Sequence, residues 1–169
     1  MSKLRMLTFL LGLVLIISCS KKGKLNLCNK SIDILLQDSI IVFGGYSYMC
    51  STNCFRPIII DIRNNQLYKS CVSIKYSDSL EKIRVYPINS KELDTLIINT
   101  IRIVNFDRLK SFPERIGEPD HRDQGGIHVQ VNIRSEKYRL QVDPDSIPTV
   151  LTTLISELSN VYIRATNIH

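Results

Sequence analysis

The polar segment Pro113–Gly126 holds the residues whose types and spacing could carry chemistry. Asp120, His121 and Asp123 are carboxylate and imidazole groups within four positions, and His128 begins the strand pattern that follows. Such a cluster could hold a divalent metal, and a histidine with an ordinary pKa could act as a general acid or base. The segment is also rich in the proline and glycine of surface turns. We therefore interpret it first as a solvated loop, with a metal-binding or hydrolytic site as the alternative.

Four cysteines form a second group of reactive side chains: Cys28, Cys50, Cys54 and Cys71. In an oxidising compartment an even number favours one or two disulfides, and all three pairings remain open. Cys50 and Cys54 lie in a loop of glycine, serine and tyrosine, where a local bridge would brace the loop, as in a disulfide-braced inhibitor. Zinc would need imidazole partners at metal spacing, and His121 is far along the chain.

Two irregular polar loops, residues 44–54 and 116–126, are the candidate surfaces for contact with a protein or small ligand. Tyrosine and arginine are common anchors of such contacts. The candidates here are Tyr46, Tyr48, Arg115 and Arg122. No sequence motif of a nucleophile elbow, phosphate-binding loop, zinc protease or dinucleotide site occurs. We expect an interaction module rather than an enzyme, with no cofactor.

The net positive charge of the chain comes from its N-terminal thirty residues. The formal net charge is +6, but six of the 22 Lys and Arg lie in the first thirty residues, which leaves 16 to balance 16 Asp and Glu. A nucleic-acid-binding surface needs a basic stripe that displaces counterions from phosphates. A neutral body lacks this stripe, so we expect no nucleic-acid partner.

Residues 1–19 have the order of a secretory signal. Two cations come first, an apolar run over residues 6–17 follows, and Ser18 precedes Cys19. The run of 12 residues is too short to cross a bilayer core, which takes roughly 20 helical residues. The segment predicts export rather than a permanent membrane helix.

The end of this segment, Ile16-Ile17-Ser18-Cys19, resembles the lipobox of bacterial lipoproteins. The resemblance implies cleavage before Cys19 and attachment of a diacylglycerol to the Cys19 thiol. Membrane lipid is then a partner through the acyl anchor. Two or three acyl chains hold a protein on a bilayer where a single chain is marginal.

Lipid attachment divides the chain into a signal peptide over 1–18, a lipidated tether over 19–30 and one folded domain over 31–169. Ser20 follows Cys19, and resemblance to envelope lipoproteins then implies no retention at the inner membrane. We expect the domain in the bacterial cell envelope, facing the periplasm, and on the outer membrane if the organism has two membranes. A protein of the envelope is the expected partner.

A second resemblance covers roughly residues 90–160. Its loop reads Phe112-Pro-Glu-Arg-Ile-Gly117, Pro119-Asp120 and Asp123-Gln-Gly-Gly126, and a hairpin and a terminal helix follow. This arrangement resembles uncharacterised small lipoproteins of Bacteroidota, whose loop carries Gly-Cys-Pro-Asp-Cys-x-Asp-Gly-Gly. Here Glu118 and His121 occupy the two cysteine positions. The resemblance therefore implies no thiol redox or thiolate–metal role for this chain.

Runs of alternating and β-branched residues predict the strands that position these groups. Strands are expected over 31–43, 57–63, 66–76 and 80–88. The first is expected to end near Phe43, before Gly44-Gly45. Asn64-Asn65 tolerates the left-handed conformation of a tight turn, which makes the next two strands a hairpin.

A second hairpin is expected from strands over 127–134 and 138–142, with a turn at Ser135-Glu136. His128 falls on the polar side of the apolar–polar alternation, which predicts that its side chain is exposed.

Two helices are predicted from apolar residues at helical spacing. The first begins after Ser90, with Glu92 in its first turn, and the second begins after Asp145-Ser146, with Pro148 near its first position. Their apolar positions are Leu93, Leu96, Ile97, Thr100, Ile101 and Val104, and then Ile147, Val150, Leu151, Leu154, Ile155, Leu158 and Val161. The fold class expected is α+β, a mostly antiparallel sheet of about five to six strands with two helices packed on one face.

Overall fold

The structure is a computed structural model that describes residues 28, 30–33, 37–46, 54–71, 74–75, 82–119 and 125–168. The fold is mixed α+β, as the sequence predicts, with an eight-stranded sheet, a two-stranded sheet and three α-helices in these residues. The strands are β1 (Lys30–Asp33), β2 (Ile40–Tyr46), β3 (Cys54–Phe55), β4 (Ile58–Asp61), β5 (Gln66–Ser70), β6 (Ile74–Lys75), β7 (Lys82–Ile88), β8 (Arg115–Ile116), β9 (Gly126–Ile133) and β10 (Glu136–Val142). The helices are α1 (Lys91–Ile103), α2 (Phe106–Lys110) and α3 (Thr149–Asn167).

The large sheet has the strand order β1-β7-β5-β4-β2-β9-β10-β8. Its neighbouring strands are antiparallel except β10 and β8, which are parallel. The expected five to six strands are too few. The edge strands β1 and β8 have four and two residues, so neither is long enough for a period of two to stand out in the sequence.

The hairpin turns show one prediction confirmed and one shifted. Asn65 has a φ of 51° between β4 and β5, and the Asp61 carboxylate accepts the backbone N–H of Asn64. Between β9 and β10 the left-handed residues are Arg134 and Ser135, with φ of 52° and 67°. The turn therefore lies one residue earlier than expected, because two consecutive left-handed residues close the two-residue hairpin.

The expected strand over residues 31–43 is two strands, β1 and β2. Strand β2 also continues through Gly44-Gly45 to Tyr46 instead of ending near Phe43. The reason is strand pairing, because β9 lies alongside β2 to its end. The glycine pair alone predicts that the strand ends, but the hydrogen bonds between β2 and β9 extend the strand through both glycines.

The two predicted helices are confirmed as α1 and α3. Ser90 is the N-cap of α1, and its carbonyl accepts the backbone N–H of Leu93 at 3.0 Å. Pro148 is the N-cap of α3. An ion pair joins Glu92 to Arg164, so the start of α1 lies beside the end of α3.

One hydrophobic core lies between the helices and the sheet. Leu93 and Ile97 of α1 and Leu158 of α3 pack with Ile41 of β2 and Val131 of β9, and each is at most 1 % exposed. The opposite face of the sheet carries a second, smaller buried cluster. Its members are Ile32, Ile40, Val42, Ile59, Tyr68, Ile83 and Val85.

Candidate functional site

Three polar side chains are buried side by side on the sheet face opposite the helices. His128, Gln130 and Asn132 are at most 1 % exposed. They alternate along β9 with Val129 and Val131, which belong to the helix-facing core, and successive strand residues point to opposite faces. We call His128, Gln130 and Asn132 the buried polar row.

The expectation that His128 is exposed is wrong. Apolar–polar alternation marks a change of face along a strand, and exposure of the polar face is only its commonest cause. Strand β9 lies between β2 and β10 in the middle of the sheet, and both of its faces are shielded from solvent. The alternation here separates an apolar buried face from a polar buried face.

Hydrogen bonds link the polar row to its surroundings. The Nε of Arg139, on β10, donates to Oε1 of Gln130 at 3.1 Å. Gln130 Nε2 in turn donates to Oδ1 of Asn132 at 3.0 Å, and Asn132 Nδ2 donates to the carbonyl of Gln37 at 3.1 Å. Buried amides are tolerated when such bonds are made.

His128 is the titratable group of this row. Burial, with a smaller contribution from the positive charge of Arg139, lowers the pKa of His128 from 6.5 to about 4. The imidazole is therefore neutral at neutral pH. Gly44 on β2 and Gln141 on β10 are its direct cross-strand neighbours. A buried, neutral imidazole is better suited to a structural role than to the exchange of protons with solvent.

The other predicted metal or catalytic residues, Asp120, His121 and Asp123, lie outside the described residues, as do Tyr48, Cys50 and Arg122. Within the described ranges no group of three His, Cys, Asp or Glu side chains is placed to hold a metal ion. The metal site at Asp120, His121 and Asp123 remains a prediction.

The two candidate interaction loops begin and end at neighbouring strands. The backbone of Tyr46, where one loop leaves β2, pairs with Gly126, where the other loop enters β9. Arg115 lies instead on the edge strand β8, where its exposed guanidinium donates to the carbonyl of Pro119 at 3.2 Å. Strand pairing thus brings together one end of each loop, and it places Arg115 two strands away from β9.

Gly117, between β8 and Pro119, is held in a crowded place. Its φ is +71°, and a Cβ there would lie 2.7 Å from the Cβ atoms of Asp143 and Ser146. Any side chain at this position would clash and would also be strained. The glycine therefore allows the chain to pass close to the end of β10.

Cys28 and Cys71 form a disulfide, with Cα atoms 6.1 Å apart and 43 positions between them in sequence. This is one of the pairings left open by the sequence. The backbone of Cys54 lies in β3. A bridge between Cys54 and Cys50 is untested, because Cys50 and the Cys54 side chain are among the parts of the chain left undescribed.

A groove in the helical layer was not predicted from the sequence. It has a volume of about 400 Å³ and lies between the end of α1, the helix α2 and the start of α3. Its lining residues are Arg102, Ile103, Asn105, Arg108, Leu109, Val150, Leu151, Thr153 and Leu154. Val150, expected in the apolar core stripe, is 45 % exposed beside this groove.

No protein-family model matches this chain, and neither a curated protein nor a solved structure shows detectable similarity to it. Among the helices that the structure describes, none combines the length and apolar character required to cross a membrane.

Proposed function

We propose that the chain is a bacterial envelope lipoprotein, anchored through Cys19, whose α+β domain is an interaction module rather than an enzyme. The observation that carries the proposal is the sequence Ile16-Ile17-Ser18-Cys19 at the end of a 12-residue apolar run. The disulfide between Cys28 and Cys71 is independent support, because disulfides persist mainly in oxidising compartments outside the cytosol.

The disulfide also supports a short connection between anchor and domain. Cys28 follows Cys19 by nine residues, which span at most roughly 30 Å when extended. Cys71 directly follows β5, and its backbone N–H bonds to the carbonyl of Arg84 on β7 at 2.9 Å. A lipid at Cys19 would thus hold this side of the sheet close to the membrane surface.

The proposed interaction role is supported by the pairing of Tyr46 with Gly126. Loops that leave adjacent strands at one end of a rigid sheet are a common arrangement for binding surfaces. The strands beneath are rigid here, because Phe43 and Val129, further along the same two strands, are each 2 % exposed. A partner that contacts both loops would therefore bind to loops that are held by a well-packed part of the sheet.

Lipid attachment is tested by growth with radiolabelled palmitate and isolation of the full chain. We expect label in the wild-type protein and none in Cys19→Ser. Cys54→Ser is the matched control, because it removes a thiol elsewhere and should keep the label. Label that persists in Cys19→Ser, or that is absent from the wild type, would contradict the proposal.

The interaction role is tested with a photo-crosslinking residue placed at Tyr46 in the membrane-bound full chain. We expect a discrete crosslinked protein from this position and none from Asn160, an exposed residue on α3. A chain that gives no adduct at Tyr46 but binds a stoichiometric transition metal, and loses it in His121→Ala, would favour the metal-site alternative instead.

A further inference from the structure

The groove between α1, α2 and α3 has an apolar floor. Leu109 of α2 and Leu151 and Leu154 of α3 line it and are at most 7 % exposed. Ile103 and Val150 also line it and are 39 % and 45 % exposed. Single exposed aliphatic residues are ordinary on protein surfaces. Two of them beside a groove of about 400 Å³ form an apolar surface within the size range of ligand sites.

The polar part of the lining is positively charged. Arg102, at the end of α1, and Arg108, on α2, are both exposed and line the groove, while no acidic residue lines it. Ion pairs join Lys110 to Glu136 and Arg164 to Glu92. Neither arginine of the groove is neutralised by these pairs, and Asp107, between them in sequence, is not part of the lining.

Two guanidinium groups beside an apolar floor fit a ligand that is both acidic and aliphatic. Guanidinium pairs with carboxylate in strong, often bidentate, hydrogen bonds. Burial of aliphatic side chains against Leu109, Leu151 and Leu154 supplies the hydrophobic contribution. Asn105 and Thr153 also line the groove. The Thr153 hydroxyl and the Asn105 Nδ2, whose neighbouring Oδ1 accepts the Arg108 N–H, can bond to a peptide backbone.

We propose that this groove binds an acidic peptide segment of a partner protein, with an aliphatic side chain on the leucine floor and a carboxylate between Arg102 and Arg108. The surface lies in the helical layer and is distinct from the loop end of β2 and β9. It adds a second contact to the domain and names the chemistry of the segment that it takes.

The position of the groove favours a peptide, rather than the lipid of the anchoring bilayer, as its occupant. This inference rests on the proposed lipid anchor. The groove lies at the start of α3. At the other end of α3, the Lys69 Nζ donates to the carbonyls of Ala165 and Thr166 at 3.3 and 3.2 Å. Lys69 is two residues from Cys71, where the disulfide joins the tether. Helix α3 has 19 residues, so its two ends are roughly 28 Å apart at 1.5 Å per residue.

The test is a selection from a random peptide library with the full chain in phosphatidylcholine nanodiscs. We expect the wild type to enrich peptides with Asp or Glu next to Leu, Ile or Val. The charge-swapped variant Arg102→Glu/Arg108→Glu should instead enrich Lys or Arg in the same apolar context. For the best peptide, Arg102→Gln or Arg108→Gln alone should weaken binding about tenfold.

Arg63→Glu/Arg84→Glu is the matched control, because both arginines are exposed and lie outside the groove. It should select the same acidic peptides as the wild type. Repeating the selection with Cys19→Ser separates the two proposals, since loss of the anchor should leave the peptide preference unchanged. Val150→Asp, which alters the apolar rim at an exposed position, should abolish the enrichment in a folded protein.

Three outcomes would overturn the proposal. One is the absence of acidic enrichment in the wild type, and another is an unchanged peptide preference in the charge-swapped variant. The third is arginine-dependent binding of the wild type to phosphatidylglycerol vesicles without any peptide selection, which would make the groove a contact for an anionic membrane surface.

Discussion

The two faces of the large sheet are both buried along β9, yet they are built from different chemistry. Val129 and Val131 enter an aliphatic core shared with α1 and α3. Their neighbours His128, Gln130 and Asn132 face the other way and form the buried polar row of imidazole and amide groups. The first face is held by non-directional apolar burial. The second includes directional hydrogen bonds at Gln130 and Asn132.

The two faces should therefore respond to different perturbations. An apolar core tolerates changes of pH and is sensitive to lost volume. A buried polar row is sensitive to protonation and to the loss of single bonding partners. Measurements of unfolding free energy on matched variants can separate the two faces.

The largest expected effect is on the helix-facing core. Leu158→Ala should lower the free energy of unfolding by about 2–5 kcal/mol, because Leu158 is 0 % exposed and its removal leaves a cavity. Chemical denaturation of the full chain measures this. Ile163→Ala on the same helix is the control, since Ile163 is 54 % exposed and should cost much less. Equal losses would show that α3 does not cover the sheet as described.

The second expected effect is the pH dependence of stability from His128. Its folded-state pKa of about 4 lies below the ordinary 6.5, so the unfolded chain binds more protons between these values. The stability is fully present above pH 6.5 and is lost as the pH falls toward 4, by up to about 3 kcal/mol. Denaturation across this pH range should show the decline.

The matched comparison for this titration is His128→Gln against His169→Gln. The first variant should flatten the decline between pH 6.5 and 4, whatever its stability at neutral pH, and the second should keep the wild-type slope. A wild-type slope in His128→Gln would show that the decline originates from other groups and that His128 titrates normally.

The smallest of the three expected effects concerns one amide of the polar row. Gln130→Ala should cost about 1–3 kcal/mol, because it removes the acceptor of Arg139 Nε and the donor to Asn132. Gln141→Ala, at a half-buried position on β10, should cost less. If both variants lose the same small amount in thermal or chemical unfolding, the polar row contributes no more than an ordinary sheet surface.

Much of the fold is predictable from the sequence because long elements carry strong periodicity. The apolar stripe that runs from Val150 to Val161 in α3 and the alternation of β9 each repeat often enough to define an element. The edge strand β8 escapes prediction because its two residues carry too few repeats. The four residues of β1 were expected to be part of one strand with β2, because a strand this short shows no boundary of its own in the sequence. The extension of β2 through Gly44-Gly45 escapes because it depends on β9, more than eighty residues away.

The candidate sites were predictable only in part. The pairing of Cys28 with Cys71 could not be predicted, because it depends on the tether lying close to the end of β5 in the folded chain. The groove that includes Arg102 and Arg108 forms only where α1, α2 and α3 meet. No local sequence pattern relates the residues of α1 and α2 to those of α3. Asp120, His121 and Asp123 remain a sequence prediction, because they lie outside the described residues.

By itself the sequence determined the class of fold, both long helices and the two main hairpins, because hydrophobic period and turn chemistry are local properties. It also supplied the lipobox pattern on which the proposed location rests. The burial of His128, the cysteine pairing and the position of the groove follow from the packing of the whole chain. Each of these depends on which strands and helices become neighbours, and that is a property of the packed chain rather than of any segment.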